Sequence, residues 1–238
     1  MSFSWAGYKW RTTLPNQPSY SDPKRKFWAD EKAISIDNNG YLHLFTRYNP
    51  KQFSMGKPLV GAGLISTEKV FKHGVFNISC QLPSGKNLWP AFWCLGSRTW
   101  PPEVDVFEGY SDSFGSYMKF DFWNPLAIWN VETNAFYGDV ANGGLKNLKN
   151  IGAKPHRQLQ GDPSKRFEYY TMRWEPNKIE LSYGSKVVRE IDNSDLLTKL
   201  NDQGMHIVLN NAVANDADNL ENHKTSDFII KYFSYKPL

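Results

Sequence analysis

The chain has 238 residues, 15% of them aromatic and 22% charged, with nine Trp and a formal net charge of +4. That length suits one sizeable domain with a full core, and the lack of any long polar tract argues against disorder. The charge is too mild for a nucleic-acid binder, which gathers Lys and Arg into a stripe, and no apolar run reaches the roughly 18 residues of a membrane span.

The chain opens on MSFSWAGYKW, which lacks the apolar stretch of a secretory leader. Strand signals follow. YLHLFTRY (41–48), GVFNISCQLP (74–83) and LWPAFWCLG (88–96) are short, aromatic or β-branched, and bounded by Gly, Pro, Asn or Ser. Beyond WPPEVDVFEGY (100–110) the same signals return in SYMKFDFW (116–123), FEYYTMRW (167–174), KIELSYG (178–184), KVVREI (186–191), MHIVLNNAV (205–213) and DFIIKYFSY (227–235). DNNGY (37–41) and YGSK (183–186) read as turns. Residues 138–166 read mostly as a loop, a length that usually serves function. The one helix candidate is NSDLLTKLND (193–202), capped by Asn193 or Ser194. Cys80 and Cys94 sit in apolar runs and read as buried free thiols. Many strands with almost no helix predict an all-β fold: a β-sandwich jelly roll of two antiparallel sheets over 1–238, one of them curved into a concave cleft.

The acidic segment breaks strand rhythm. Glu103 and Asp105 alternate with Val104 and Val106 and so share a face, but Glu108 comes three residues after Asp105 and would point the other way. A β-bulge at Val106–Phe107 returns Glu108 to that face. Regular rise then leaves the Glu103 and Glu108 backbones roughly 13 Å apart. Inward-leaning side chains can narrow this toward the ~5–5.5 Å carboxyl spacing of a retaining glycosidase. Crowded carboxylates in semi-apolar surroundings push their pKa values apart, as an acid/base pair requires. On the preceding strand, Trp89, Ala91, Trp93 and Leu95 share one face, and two indoles there make either a core wall or a sugar platform.

GKNLWPAFWCLGSRTWPPEVDVFE (85–108) resembles the catalytic region of glycoside hydrolase family 16, which includes laminarinases, lichenases, agarases, porphyranases and carrageenases. The acidic motif matches the bulged form Glu-x-Asp-x-x-Glu. GAGLISTEKVFKHGVFNISCQLP, FEYYTMRWEPNKIELSYGSKVV, GMHIVLNNAV and DFIIKYFSYKPL extend the resemblance over most of the chain. It implies Glu103 as nucleophile and Glu108 as general acid/base. Asp105 between them would hold Glu103 by a hydrogen bond, and Trp89 and Trp93 would stack on sugars.

Two positions depart from that pattern. Lys231 stands where many relatives place a calcium-binding Asp; an ammonium cannot ligate calcium, so no metal is expected there. The strand after the motif, taken as SYMKFDFWNP, holds no His and offers Trp123 as a substrate contact. His43, His73, His156, His206 and His223 make no zinc spacing, and no cofactor is expected. Asn210 and Asn211 must face opposite sides of a strand; they read either as cleft residues, with Asn210 the candidate substrate contact, or as turn-proximal structural amides. Lys146, Lys149, Lys154, His156, Arg157, Lys165 and Arg166 stand against Asp139 and Asp162 in 138–166. They read either as a solvated loop or as a wall meeting sulfate groups, with Arg157 the candidate contact. The expectation is a secreted, monomeric, retaining endo-hydrolase of a polysaccharide, leaning to a red-algal, sulfated galactan. The rivals are a β-1,3(4)-glucanase, a transglycosylase on the same carboxylates, and a binding module without catalysis.

Overall fold

Alternation along the strands decides which side chains enter the interior. In Lys178–Tyr183 the residues Ile179, Leu181 and Tyr183 are buried and their neighbours are half-exposed. The computed structural model describes residues 1–22, 27–54, 57–111, 115, 117–121, 124–129, 131–140, 144–155, 161–214 and 227–238. Two sheets pack face to face. The larger runs Ser2–Trp5, Tyr8–Arg11, Lys57–Thr67, Met205–Val213, Leu88–Gly96, Glu103–Gly109, Val131–Gly138 and Leu148–Asn150. The other runs Lys186–Ile191, Lys178–Tyr183, Glu168–Glu175, Gly74–Gln81, Phe228–Pro237, Leu42–Leu44 and Ile34–Ile36. Pairing along both is antiparallel; Phe27–Ala29, off the main path, joins Lys57–Thr67 in parallel. The expected all-β jelly roll is therefore the fold.

Phe76, Ile78, Met172, Trp174 and Leu181 from one sheet meet Phe92, Cys94, Val104, Phe107 and Ile207 from the other. Each such side chain contributes about 1.5–3 kcal/mol on burial. Both cysteines are buried and unbridged. Met205–Val213 is buried along its whole length, because Leu14, Leu64 and Leu95 cover its cleft-facing Val208. The helix, Ser194–Gln203, is capped by Asn193, whose side chain accepts from the Leu196 N–H, and it buries Leu196, Leu197 and Leu200.

Two features depart from expectation. SYMKFDFW does not flank the acidic strand: Met118–Asp121 pairs with Asn124–Trp129 in a separate two-stranded sheet. The flanking strand is Val131–Gly138, whose polar VETN start hides its strand character. Trp123 lies outside the described residues. The 138–166 stretch is only partly loop, since Leu148–Asn150 and Lys154–Pro155 pair onto Val131–Gly138; edge strands need no apolar alternation to announce them. Lys231 sits at a bulge in Phe228–Pro237, with its ammonium over the rings of Tyr41 and Phe167 at 5.9 and 6.0 Å.

The acidic strand carries the expected bulge. Against Leu88–Gly96, Phe107 pairs with Phe92 and Asp105 with the adjacent Trp93, so Val106 is the extra residue. Against Val131–Gly138, the pairing steps from Asp105↔Asn134 to Glu108↔Glu132, three residues opposite two. Val106 and Phe107 both point into the core with no exposure. The Val106 carbonyl, taken off the ladder, accepts a 3.0 Å bond from the buried Tyr183 hydroxyl of the second sheet. Tyr183 packs edge-on against Tyr170 at 4.9 Å, and Tyr170 against Phe107 at 4.3 Å. Tyr183→Phe leaves that carbonyl without this donor. Urea unfolding is expected to show a loss of about 1–3 kcal/mol; an unchanged midpoint and slope would mean the bulge does not need it.

Candidate active site

The bulge sets three rows across the concave sheet. Leu95, Glu103 and Phe136 form one, Trp93, Asp105 and Asn134 the next, and Ala91, Glu108 and Glu132 the third. All nine line a cleft of about 620 Å³, as do Trp89, Trp100, Tyr110 and Asn210. Val104, Val106 and Phe107 fill the opposite face. Glu103, Asp105 and Glu108 thus open into one space.

Each outer carboxylate has its own donors. The Trp100 indole donates to Glu103 Oε2 at 2.8 Å. The Trp89 indole and the Tyr110 hydroxyl both donate to Glu108 Oε1, at 3.0 and 2.7 Å. Asp105 differs: it is 2% exposed, and its Oδ2 has no hydrogen-bond partner among the described residues. The donor described on Glu103 is the Trp100 indole. Burial, then the charges of Glu108 and Glu103, push the Asp105 pKa well above the ordinary carboxylate value.

The two indoles of Leu88–Gly96 take different surroundings. Trp89 lies nearly parallel to Tyr110, with centroids 5.9 Å apart and planes at 14°, and edge-on to Phe27. Its N–H is committed to Glu108, so it serves the acid as well as the cleft wall. The Trp93 N–H donates to Asn210 Oδ1 at 2.8 Å, and Asn210 Nδ2 donates to the Trp89 carbonyl at 3.0 Å. Asn210 faces the cleft but is 4% exposed, so it orients Trp93. Asn211 faces away and donates to the Leu44 carbonyl at 3.0 Å.

The charged residues described in the cleft are Glu103, Asp105, Glu108 and Glu132, with no Lys or Arg among them. Lys146 and Lys149 line a separate hollow with Asp139, Asp195 and Lys199. Lys165 lies 3.8 Å from Asp162, and Arg166 pairs with Glu168. His156 and Arg157 lie outside the described residues.

The sequence model described as "Glycosyl hydrolases family 16" matches residues 25–230. The chain belongs to this family. A family 16 endo-glucanase structure from Bacteroides ovatus, in complex with G4G3G-2F-DNP, superposes with a TM-score of 0.71 at 18% identity, covering 98% of this chain and 96% of that one. LamAcat from Zobellia galactanivorans gives 0.69 at 18% identity, covering 95% and 90%. At such identities the likeness is one of fold. In sequence, the chain is 32% identical over 116 residues to the endo-1,3-1,4-beta-glycanase EglC of Rhizobium meliloti, covering 37% of this chain and 25% of that protein. It is 24% identical over 191 residues to the beta-glucanase of Rhodothermus marinus, covering 73% of this chain and 58% of that protein. The chain thus spans about a quarter of EglC's length.

Within this family 16 fold, sequence reading missed Trp100, Tyr110, Glu132 and Asn134. Tyr110, two residues past Glu108, was reachable by alternation. Glu132 and Asn134 needed the identity of the flanking strand, which only pairing reveals. A shifted Asp105 has a measurable consequence. It keeps its proton at pH values where the unfolded chain has lost its own, so the folded state binds more protons, and stability falls as pH rises from about 4 through the raised value. Asp105→Asn removes that dependence. Urea unfolding is expected to show the variant gaining stability relative to the native chain between about pH 4 and neutrality. A constant difference across that range would mean Asp105 is not shifted.

Proposed function

We propose that the chain is a catalytic domain hydrolysing internal β-linkages of a neutral β-1,3- or mixed β-1,3-1,4-glucan with retention of configuration. The observation that carries this reading is the bulge, which turns Glu103, Asp105 and Glu108 into one cleft. In the first step a Glu103 oxygen attacks the anomeric carbon while Glu108 gives its proton to the departing glycosidic oxygen. In the second, Glu108 takes a proton from water, which displaces Glu103 from the glycosyl-enzyme. The Trp100 N–H fixes Glu103 in orientation. A protonated Asp105 places no further negative charge between the two glutamates.

Neutral glucan is favoured over a sulfated galactan by the cleft's charge. Four carboxylates without a described cation repel a polyanion, and Lys146, Lys149, Lys165 and Arg166 open elsewhere or pair with Asp or Glu. The relatives named above as glucanases agree. Apolar and aromatic walls at Trp93, Trp100, Phe136 and Leu95 suit the faces of sugar rings. A polymer of this kind does not cross a membrane, so the reaction belongs outside the cytoplasm.

A panel digestion tests the substrate. Laminarin and lichenan are expected to release short oligosaccharides, and agarose, porphyran and carrageenans none; release only from the galactans would reverse the reading. On the active substrate, Glu108→Gln should cost about 10²–10⁴-fold in kcat. Glu103→Gln should abolish turnover while leaving binding by calorimetry intact. Full activity of the Glu103 variant would remove it as nucleophile.

A further inference from the structure

Glu108 meets two donors on one oxygen. An indole N–H can only donate, so the Trp89 contact requires Oε1 to offer a lone pair in every protonation state. A proton on Oε1 would leave it one weaker lone pair for the indole and force Tyr110 to accept, whereas with the proton on Oε2 the unprotonated Oε1 accepts well from both. The 2.7 Å contact with Tyr110 is then fixed as well: an oxygen carrying no hydrogen can only accept, so the phenol donates. We propose that Trp89 and Tyr110 assign the Glu108 proton to Oε2, and that Tyr110 is a positioning residue that sets the pH at which Glu108 releases it. The inference deepens the hydrolytic reading of this cleft and rests on it.

The fold holds this arrangement. Glu108 and Tyr110 are two residues apart on extended chain and share a side. Just beyond, the Ser111 N–H donates to the Leu88 carbonyl at 3.1 Å, and the Leu88 N–H donates to Ser111 Oγ at 2.7 Å. That pair ties the chain after Tyr110 to the residue before Trp89. The Trp89 and Tyr110 rings lie nearly parallel and brace each other. The same oxygen therefore gives the proton to the leaving glycosidic oxygen and later regains one from water. Oε1 keeps both donors throughout.

Among the described residues, the acids facing Glu108 oppose its ionisation: Glu103 on its own strand and Glu132 opposite it. The protonated Asp105 and the neutral Tyr183 phenol beneath add no charge. Leu88–Gly96 presents Trp89 and Ala91 beside it, neither charged. The two donors act the other way. Hydrogen bonds to a carboxylate strengthen when it is ionised, so they favour proton release.

The test is Tyr110→Phe, with pH profiles of kcat/KM on the active polysaccharide and on a short 2,4-dinitrophenyl β-glycoside of the same sugar. Losing a donor to the charged form should move the basic limb on polysaccharide upward by about one pH unit. The dinitrophenolate leaves without a proton, so on that substrate the variant should show no shifted basic limb and a smaller loss of kcat/KM than on polysaccharide. Trp89→Phe should move the limb in the same direction. An unmoved limb in either folded variant overturns the proposal, as does an equal loss on both substrates, which is the mark of a merely structural role. A native chain that cleaves no polysaccharide would refute the hydrolytic reading itself. An active native chain with an unmoved limb refutes only the role of Tyr110.

Discussion

Side-chain direction in a strand reverses at every residue, and the cleft exists because one residue breaks that rule. Val106 is extra against the strand bearing the indoles, and it and Phe107 both point into the core. Two consecutive apolar side chains on one face rotate everything after them by one step. Glu108 thereby joins Glu103 and Asp105. The cost is a carbonyl removed from the ladder, and the Tyr183 hydroxyl from the other sheet satisfies it. The placement of the three acids is thus anchored through the sandwich: Phe107, Tyr170 and Tyr183 form a continuous aromatic column beneath the bulge. Core packing and active-site phase are the same contacts seen from two sides.

Three carboxylates so close together would repel if all were ionised, and the structure gives each a different environment. Glu103 meets an indole N–H at the exposed mouth of the cleft, Asp105 is buried with an oxygen left unpartnered among the described residues, and Glu108 meets two donors on a single oxygen. Burial raises the proton affinity of the middle acid, and directed hydrogen bonds orient the outer ones. Division of labour among chemically similar groups therefore comes from surroundings supplied by neighbouring strands. The same strands give the cleft its acidic and aromatic character, and membership of glycosyl hydrolases family 16 fits that chemistry.

Much of this was legible in the chain. LWPAFWCLG, KIELSYG and MHIVLNNAV announced their strands by composition and bounding turns, and the phase error in EVDVFE announced a bulge. Less visible was the N-terminal hairpin of Ser2–Trp5 and Tyr8–Arg11, whose turn places Ala6 and Gly7 at φ 50 and 79. VETNAFYG was also missed, because its cleft-facing Glu132 and Asn134 are polar where alternation led one to expect rings or β-branched residues. Basic residues of 138–166 read as a cleft wall because sequence places them near one another. The fold sends Lys146 and Lys149 to a different hollow and pairs Arg166 with Glu168.

By itself, the sequence determined the sandwich, the acidic motif and the need for a bulge within it. These follow from local rules: alternation, turn chemistry and the spacing of like charges along a few consecutive residues. Only the tertiary structure decided which groups touch those acids. Trp100 donates to Glu103, Trp89 and Tyr110 share Glu108 Oε1, Asn210 serves Trp93, and Glu132 faces Glu108. Such contacts join residues of different strands, and strand order and register are fixed by the packing of two whole sheets. No short stretch of chain carries that information.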